Sequence, residues 1–208
     1  MTIDLNPIET DLLTEVLNIG VGQAAASLSQ LVNQEIQLSV PAIELKQCQD
    51  FIQTLGENRK ICGISQTLSG PFKAESILLF AEENSLAIVK EMLGHEVTDE
   101  QLTDLQQEAL VEIGNIVLNA CIGGISKALN TDFAVALPEF NTGMPHDLLQ
   151  RYRGHSEEGI VLLMQIELNL KRSAICGYMA FILQPISLVQ LKQCLNEMLS
   201  KITQTGST

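Results

Sequence analysis

Four polar residues on one stretch of this chain have the types and spacing to hold a water molecule or a cationic partner. In residues 108–138, EALVEIGNIVLNACIGGISKALNTDFAVALP, Glu108, Glu112, Asn115 and Asn119 fall at i, i+4, i+7 and i+11. At helical pitch that is a single narrow stripe. Around it lie Leu110, Val111, Ile113, Ile116, Val117, Leu118, Ala120, Cys121 and Ile122, and a helix this apolar is largely buried. Carboxylates and amides are costly to desolvate without partners. The stripe is therefore either a satisfied core network or a line of polar groups held open to something outside. An i, i+3 Glu–Asn pair sets its Cβ atoms ~5–6 Å apart on one face. The amide offers a donor and an acceptor, which suits it to orienting water, and the carboxylate can anchor a cation.

The same pattern stands 97 positions upstream: Glu15 matches Glu112, Asn18 matches Asn115, Ile19 matches Ile116, Asn33 matches Asn130 and Pro41 matches Pro138. Asp11 sits opposite Glu108 and Glu35 opposite Asp132, with no gap between. One stripe alone reads as a solvated helix face. A gapless second copy retaining Glu-x-x-Asn argues for internal duplication, with a period too long for a solenoid. The expectation is one domain of two pseudo-symmetric halves, about 6–94 and 103–202.

The elements that must position these stripes are legible in turn. Asn6-Pro7-Ile8-Glu9 forms a capping box with proline at the first helical position. The helix it starts runs to about Val32, with Asn33 placed for a left-handed cap. Gly20 and Gly22 inside it cost roughly 1 kcal/mol each, acceptable where something approaches the backbone closely. Residues 34–46 read as two short extended segments broken at Pro41, and 47–59 as irregular with a helical turn at 50–55. Residues 61–68 and 72–80 form a hairpin, and Asn84 or Ser85 caps a helix ending at Gly94. Residues 95–103 link the halves, and Thr103 with Gln106 suggests the next capping box. The second long helix ends near Leu129-Asn130. A strand over 132–137 stops at Pro138, and a polar loop covers 139–158 with a helix at 147–152. A second hairpin spans 160–168 and 173–183. Ser187 caps a final amphipathic helix, and 203–208 form a disordered tail. The fold class is α+β: a mainly antiparallel sheet flanked by helices, two of them long signature helices.

Composition narrows the partners. The chain has 208 residues, 46% hydrophobic and 18% charged, which reads as globular. A net charge of −13 disfavours a nucleic-acid backbone or an anionic membrane. Five cysteines without a CxxC, and no signal-peptide pattern, point to reduced thiols in cytoplasm. The apolar run at 174–183 is too short to span a membrane. Gly20-Val-Gly22-Gln-Ala-Ala25 imitates a dinucleotide fingerprint but lies mid-helix, where that motif does not work. His95, His146 and His155 lack metal-ligand spacing and read as surface residues.

With both stripes in view, Asp11-x3-Glu15-x2-Asn18-x3-Gly22 and Glu108-x3-Glu112-x2-Asn115 resemble the paired signature helices of the CheC phosphatases of bacterial and archaeal chemotaxis, which group with CheX and FliY. The resemblance covers essentially the whole chain. It implies hydrolysis of the aspartyl phosphate on CheY, a response regulator. Asn18 and Asn115 would align water in the partner's active site, and Glu15 and Glu112 would engage its lysine. Asp11, Gly22, Glu108 and Asn119 would border the docked partner. No cofactor or metal is implied on this chain, because magnesium arrives with the regulator. CheD binds some relatives, and no motif here decides that partner. The second copy departs from the family at Glu108 and Asn119, so the first site is expected to be at least as active. A monomer is expected, since both signature helices lie in one chain. The rival reading is a non-enzymatic adaptor that binds a regulator, CheD or a flagellar-switch component through the same helices. Exposure of Glu15, Asn18, Glu112 and Asn115, with Val16, Ile19, Ile113 and Ile116 mostly buried, is expected of either.

Overall fold

Asn6 starts the first helix by reciprocal capping: its Oδ1 accepts the Glu9 N–H at 2.9 Å, and its own N–H donates to Glu9 Oε2 at 2.8 Å. The result is helix α1 (Pro7–Val32), closed by Asn33 in the left-handed region at φ 50°. Glu9 is only 1% exposed. Its other oxygen accepts from Asn196, and Lys192 stands 3.5 Å away, so the cap also ties the last helix to the first. The computed structural model describes residues 4–33, 35–40, 42–93, 99–152, 159–170 and 173–205. Pro41 as a strand break, Gly94 as a helix end, His95 and His155 as surface histidines and the tail's last residues, 206–208, lie outside the described residues.

Strands β1 (Gln37–Ser39) and β2 (Ile43–Gln47) follow α1, then α2 (Cys48–Leu55), the hairpin β3 (Ile61–Ser69) and β4 (Lys73–Ala81), and α3 (Glu82–Leu93). The second half repeats this order: α4 (Asp99–Leu129), β5 (Ala134–Val135), β6 (Glu139–Gly143), α5 (Pro145–Tyr152), β7 (Ile160–Leu170), β8 (Ser173–Leu183) and α6 (Pro185–Thr205). Asn130 ends α4 at φ 49°, as Asn33 ends α1.

Several sequence expectations need correction. Helix α4 begins four residues before Thr103, and α3 begins ahead of Asn84. The Ser85 hydroxyl bonds back to the Glu82 carbonyl, so Ser85 is a first-turn residue of α3 rather than its cap. Ser187 likewise lies inside α6, which continues to Thr205 through residues expected to be disordered. The strand expected over 132–137 is only Ala134–Val135, and β6 occupies the start of the expected loop.

All strand pairs are antiparallel, in the order β1-β7-β8-β4-β3-β5, with β2 also on β7 and β6 also on β3. The edge strands after α1 thus pair with the second half's hairpin, and those after α4 with the first half's. The two hairpins meet at β4–β8, where Ala74 faces Leu183 and Leu79 faces Tyr178.

The sheet is covered on both faces. One holds the main core, where Leu17, Val21, Leu28, Leu110, Val117 and Cys121 of the long helices meet Ile64, Leu78, Met179 and Phe181. The other is smaller, with Phe51 and Leu55 of α2 and Leu148 and Leu149 of α5 over Ile77, Leu79, Val161 and Ile182. Each fully buried Leu or Phe contributes about 1.5–3 kcal/mol relative to exposure. Within α4, Leu105–Leu129 is long and apolar enough to cross a membrane by length and composition. Its apolar face is packed in this core.

Helices α1 and α4 touch backbone to backbone. A Cβ on Gly20 would fall 2.8 Å from Cys121 Cα and 2.9 Å from the Ala120 carbonyl, while one on Gly22 would meet nothing within 4 Å. Close approach therefore explains Gly20 and not Gly22. Gly20→Ala is expected to destabilise the protein by about 1–3 kcal/mol through forced separation of the helices. Gly22→Ala should stabilise it by about 0.5–1 kcal/mol through helix propensity. Chemical denaturation of the two variants against wild type checks both signs.

Candidate functional site

Because α1 and α4 cross at Gly20 and Cys121, and Gly124 meets the earlier residue Val16, the two helices run antiparallel. Their inner faces, with Leu13, Leu17, Val21, Leu110, Ile113 and Val117, are buried. The motif stripes consequently face out. Asp11, Glu15 and Gly22 are exposed with Asn18 half-buried, and Glu108, Glu112 and Asn119 are exposed with Asn115 half-buried. Val16 and Ile113 are buried as expected and Ile116 is half-buried, but Ile19 is 53% exposed. Ile19 lies four residues after Glu15 on the solvent side of α1, so it adds an apolar contact to the motif face instead of joining the core.

Each asparagine is held through its carbonyl oxygen. Asn18 Oδ1 accepts the Val40 N–H at 3.3 Å. A backbone N–H can only donate, which fixes the orientation of that amide. Asn115 Oδ1 accepts from Gln66 Nε2 at 3.4 Å and from Asn119 Nδ2 at 2.6 Å. Gln66 Nε2 also donates to the Ala136 carbonyl at 3.3 Å. A carbonyl can only accept, so it fixes Gln66 and, through it, Asn115. Both amides keep Nδ2 without a partner among the described residues.

Gln66 is a site residue that sequence reasoning missed. It is 2% exposed, on the helix-facing side of β3 between Ile64 and Leu68. A lone glutamine at an inward position of an alternating strand was the available signal. Its counterpart follows from register: Leu38 pairs with Leu168 and Val135 with Leu68, which makes Ile166, buried in the main core, the repeat-mate of Gln66. The flanks differ too, since Val40 is 3% exposed and its repeat-mate Leu137 is 87% exposed. The first site therefore has a backbone clamp and an apolar residue at the repeat position of Gln66, and the second a side-chain amide clamp beside an open leucine.

The nearest thiol offers no nucleophile. Cys121 is sealed under the helix crossing, and burial pushes its thiol up to about 12. The arrangement can present two carboxylates to a cation and two oriented amides to a water. His146 is an exposed residue of α5, in the layer across the sheet.

Known proteins resemble this chain in sequence and in fold. A family model described as CheC-like matches residues 8–45, which hold Asp11, Glu15, Asn18 and Gly22. CheC1 of Halobacterium salinarum is 23% identical over 80% of this chain and 85% of its own. The CheY-P phosphatase CheC of Bacillus subtilis is 22% identical over 65% and 67%. Among solved structures, FliY of Thermotoga maritima superposes with a TM-score of 0.74 at 16% identity, over 95% of this chain and 100% of that one. CheX in the CheX–CheY–BeF3–Mg complex of Borrelia burgdorferi gives a TM-score of 0.51 at 16% identity, over 79% and 96%. The fold is of the CheC, FliY and CheX type.

Exposed carboxylates with no structural task can be neutralised without harm to the fold. Glu15→Gln and Glu112→Gln are each expected to change stability by less than about 0.5 kcal/mol, whereas Glu9→Gln, in the buried cap, should cost about 1–3 kcal/mol. Thermal unfolding of the three variants measures the contrast.

Proposed function

We propose that this CheC-type chemotaxis chain is a phosphatase that hydrolyses the aspartyl phosphate of a CheY-type response regulator, using Glu15–Asn18 and Glu112–Asn115 as two sites. The observation that carries the reading is the repeated outward Glu–Asn pair, its amide clamped by a fixed partner, on two helices otherwise devoted to the core. The curated relative named for activity on CheY-P and the solved CheX–CheY complex support the same partner.

The chemistry asks little of this chain. In an acyl phosphate the leaving group is already a carboxylate. Water attacks phosphorus in line, the P–O bond to the acyl carboxylate breaks, and inorganic phosphate and the free aspartate result. Phosphoryl transfer is accelerated mainly by positioning and charge complementarity. Asn18 and Asn115 orient the water, and Glu15 and Glu112 meet the regulator's lysine. Asp11, Gly22, Glu108 and Asn119 border the docked surface, with Ile19 beside the first pair. Magnesium belongs to the regulator's own site. The partner implies a cytoplasmic setting, and one chain carrying both pairs can act as a monomer.

Phosphate release from a phosphorylated CheY-type regulator, with this chain at catalytic concentration, tests the proposal. Wild type should accelerate release, and Asn18→Ala/Asn115→Ala together should lower the acceleration roughly 100-fold with the fold intact. Glu15→Ala and Glu112→Ala should chiefly raise KM. The two single asparagine variants should have rates that sum to about the wild-type value, as for sites that share no groups. Binding of the phosphorylated regulator without any acceleration would establish an adaptor instead.

A further inference from the structure

The two asparagines differ in what their carbonyl oxygens have left to offer. An attacking water must point one lone pair at phosphorus. A group that accepts one of its O–H bonds aims and polarises it, whereas a donor takes up one of its two lone pairs and draws electron density from the one left for attack. A carbonyl oxygen accepts two hydrogen bonds. Asn18 Oδ1 takes one, from the Val40 N–H, so one lone pair stays open on the half-buried motif face. Asn115 Oδ1 takes two, from buried Gln66 and exposed Asn119.

We infer that Asn119 restrains the second site by filling the acceptor position that a catalytic water would use at Asn115. The inference rests on the proposed phosphatase reading and adds a positioning residue that tunes one of its two sites. Gln66 cannot be the part that yields. It is buried and anchored to the Ala136 carbonyl, so it sets the orientation of Asn115. Asn119 is exposed on the next turn of the same helix and can swing to solvent. At the matched position of the first copy stands Gly22, which has no side chain to intrude and open space around it. The first site is therefore built in the unrestrained form.

The test isolates each site. In the Asn18→Ala protein only the second site works. Adding Asn119→Ala should raise kcat for phosphate release at saturating regulator about three- to ten-fold, the range of one hydrogen bond that no longer has to be broken. Asn119→Gly, which copies Gly22, should do the same, and Asn119→Ala guards against the helix weakening that glycine brings. In the Asn115→Ala protein, where only the first site works, Asn119→Ala should not raise kcat. A kcat that stays level or falls in Asn18→Ala/Asn119→Ala, while Asn18→Ala itself still accelerates release, overturns the inference and leaves the phosphatase reading standing. A rise in KM without a rise in kcat would leave Asn119 with the docking role alone and overturn it as well. No acceleration by wild type would bring down both.

Discussion

The contact on which the rest of this structure depends is the backbone crossing of the two long helices at Gly20 and Cys121, with Gly124 close beside it. Glycines in helix interiors cost stability, and here they let two helices approach closer than any side chain allows. That approach directs the apolar faces of α1 and α4 at each other and at the sheet. What remains facing out is the stripe of Glu, Asn and small residues, so the position of the candidate chemistry follows from core packing. A larger residue at Gly20 would act on the sites through the angle of the helices and not by touching them.

The sheet holds that crossing in place. The edge strands that follow each long helix pair with the hairpin of the other half: β1 and β2 with β7, β5 and β6 with β3. Val40, which clamps Asn18, lies just past one such edge, and Ala136, which fixes Gln66, just past the other. Each motif helix is thus completed by backbone stationed on the opposite hairpin. The repeated Glu-x-x-Asn pattern puts two candidate sites of one plan on the long helices, and the differences Gln66 against Ile166, Leu137 against Val40 and Asn119 against Gly22 give them different clamps, rims and neighbours.

Much of this was legible because local chemistry announces helix ends. Asn6 with Glu9, Asn33 and Asn130 set three helix boundaries through capping geometry that depends on few residues. The hairpins followed from alternation. Strand β6 was not legible, since Glu139-Phe140-Asn141-Thr142-Gly143 has one large apolar residue and is a strand only because β3 pairs with it. The start of α4 was missed because Thr103 with Gln106 imitates a cap while the helix is already under way. The motif stripes were readable from spacing, but their clamps were not. Val40 acts through its backbone, and Gln66 reaches Asn115 across 49 residues of sequence. The burial expected of Ile19 failed because an apolar residue on a core helix carries no mark of which side it takes.

On the proposed reading, one chain presents two separate regulator-docking faces, one on the outer side of each long helix. The stoichiometry of a CheY-type regulator carrying beryllofluoride and magnesium, which imitates its phosphorylated state, tests this directly when measured by sedimentation at saturating regulator. Two regulators per chain are expected in the wild type, one in either Glu15→Lys or Glu112→Lys, and none when both are reversed. A single regulator bound to the wild-type chain, or two still bound after both reversals, would contradict it.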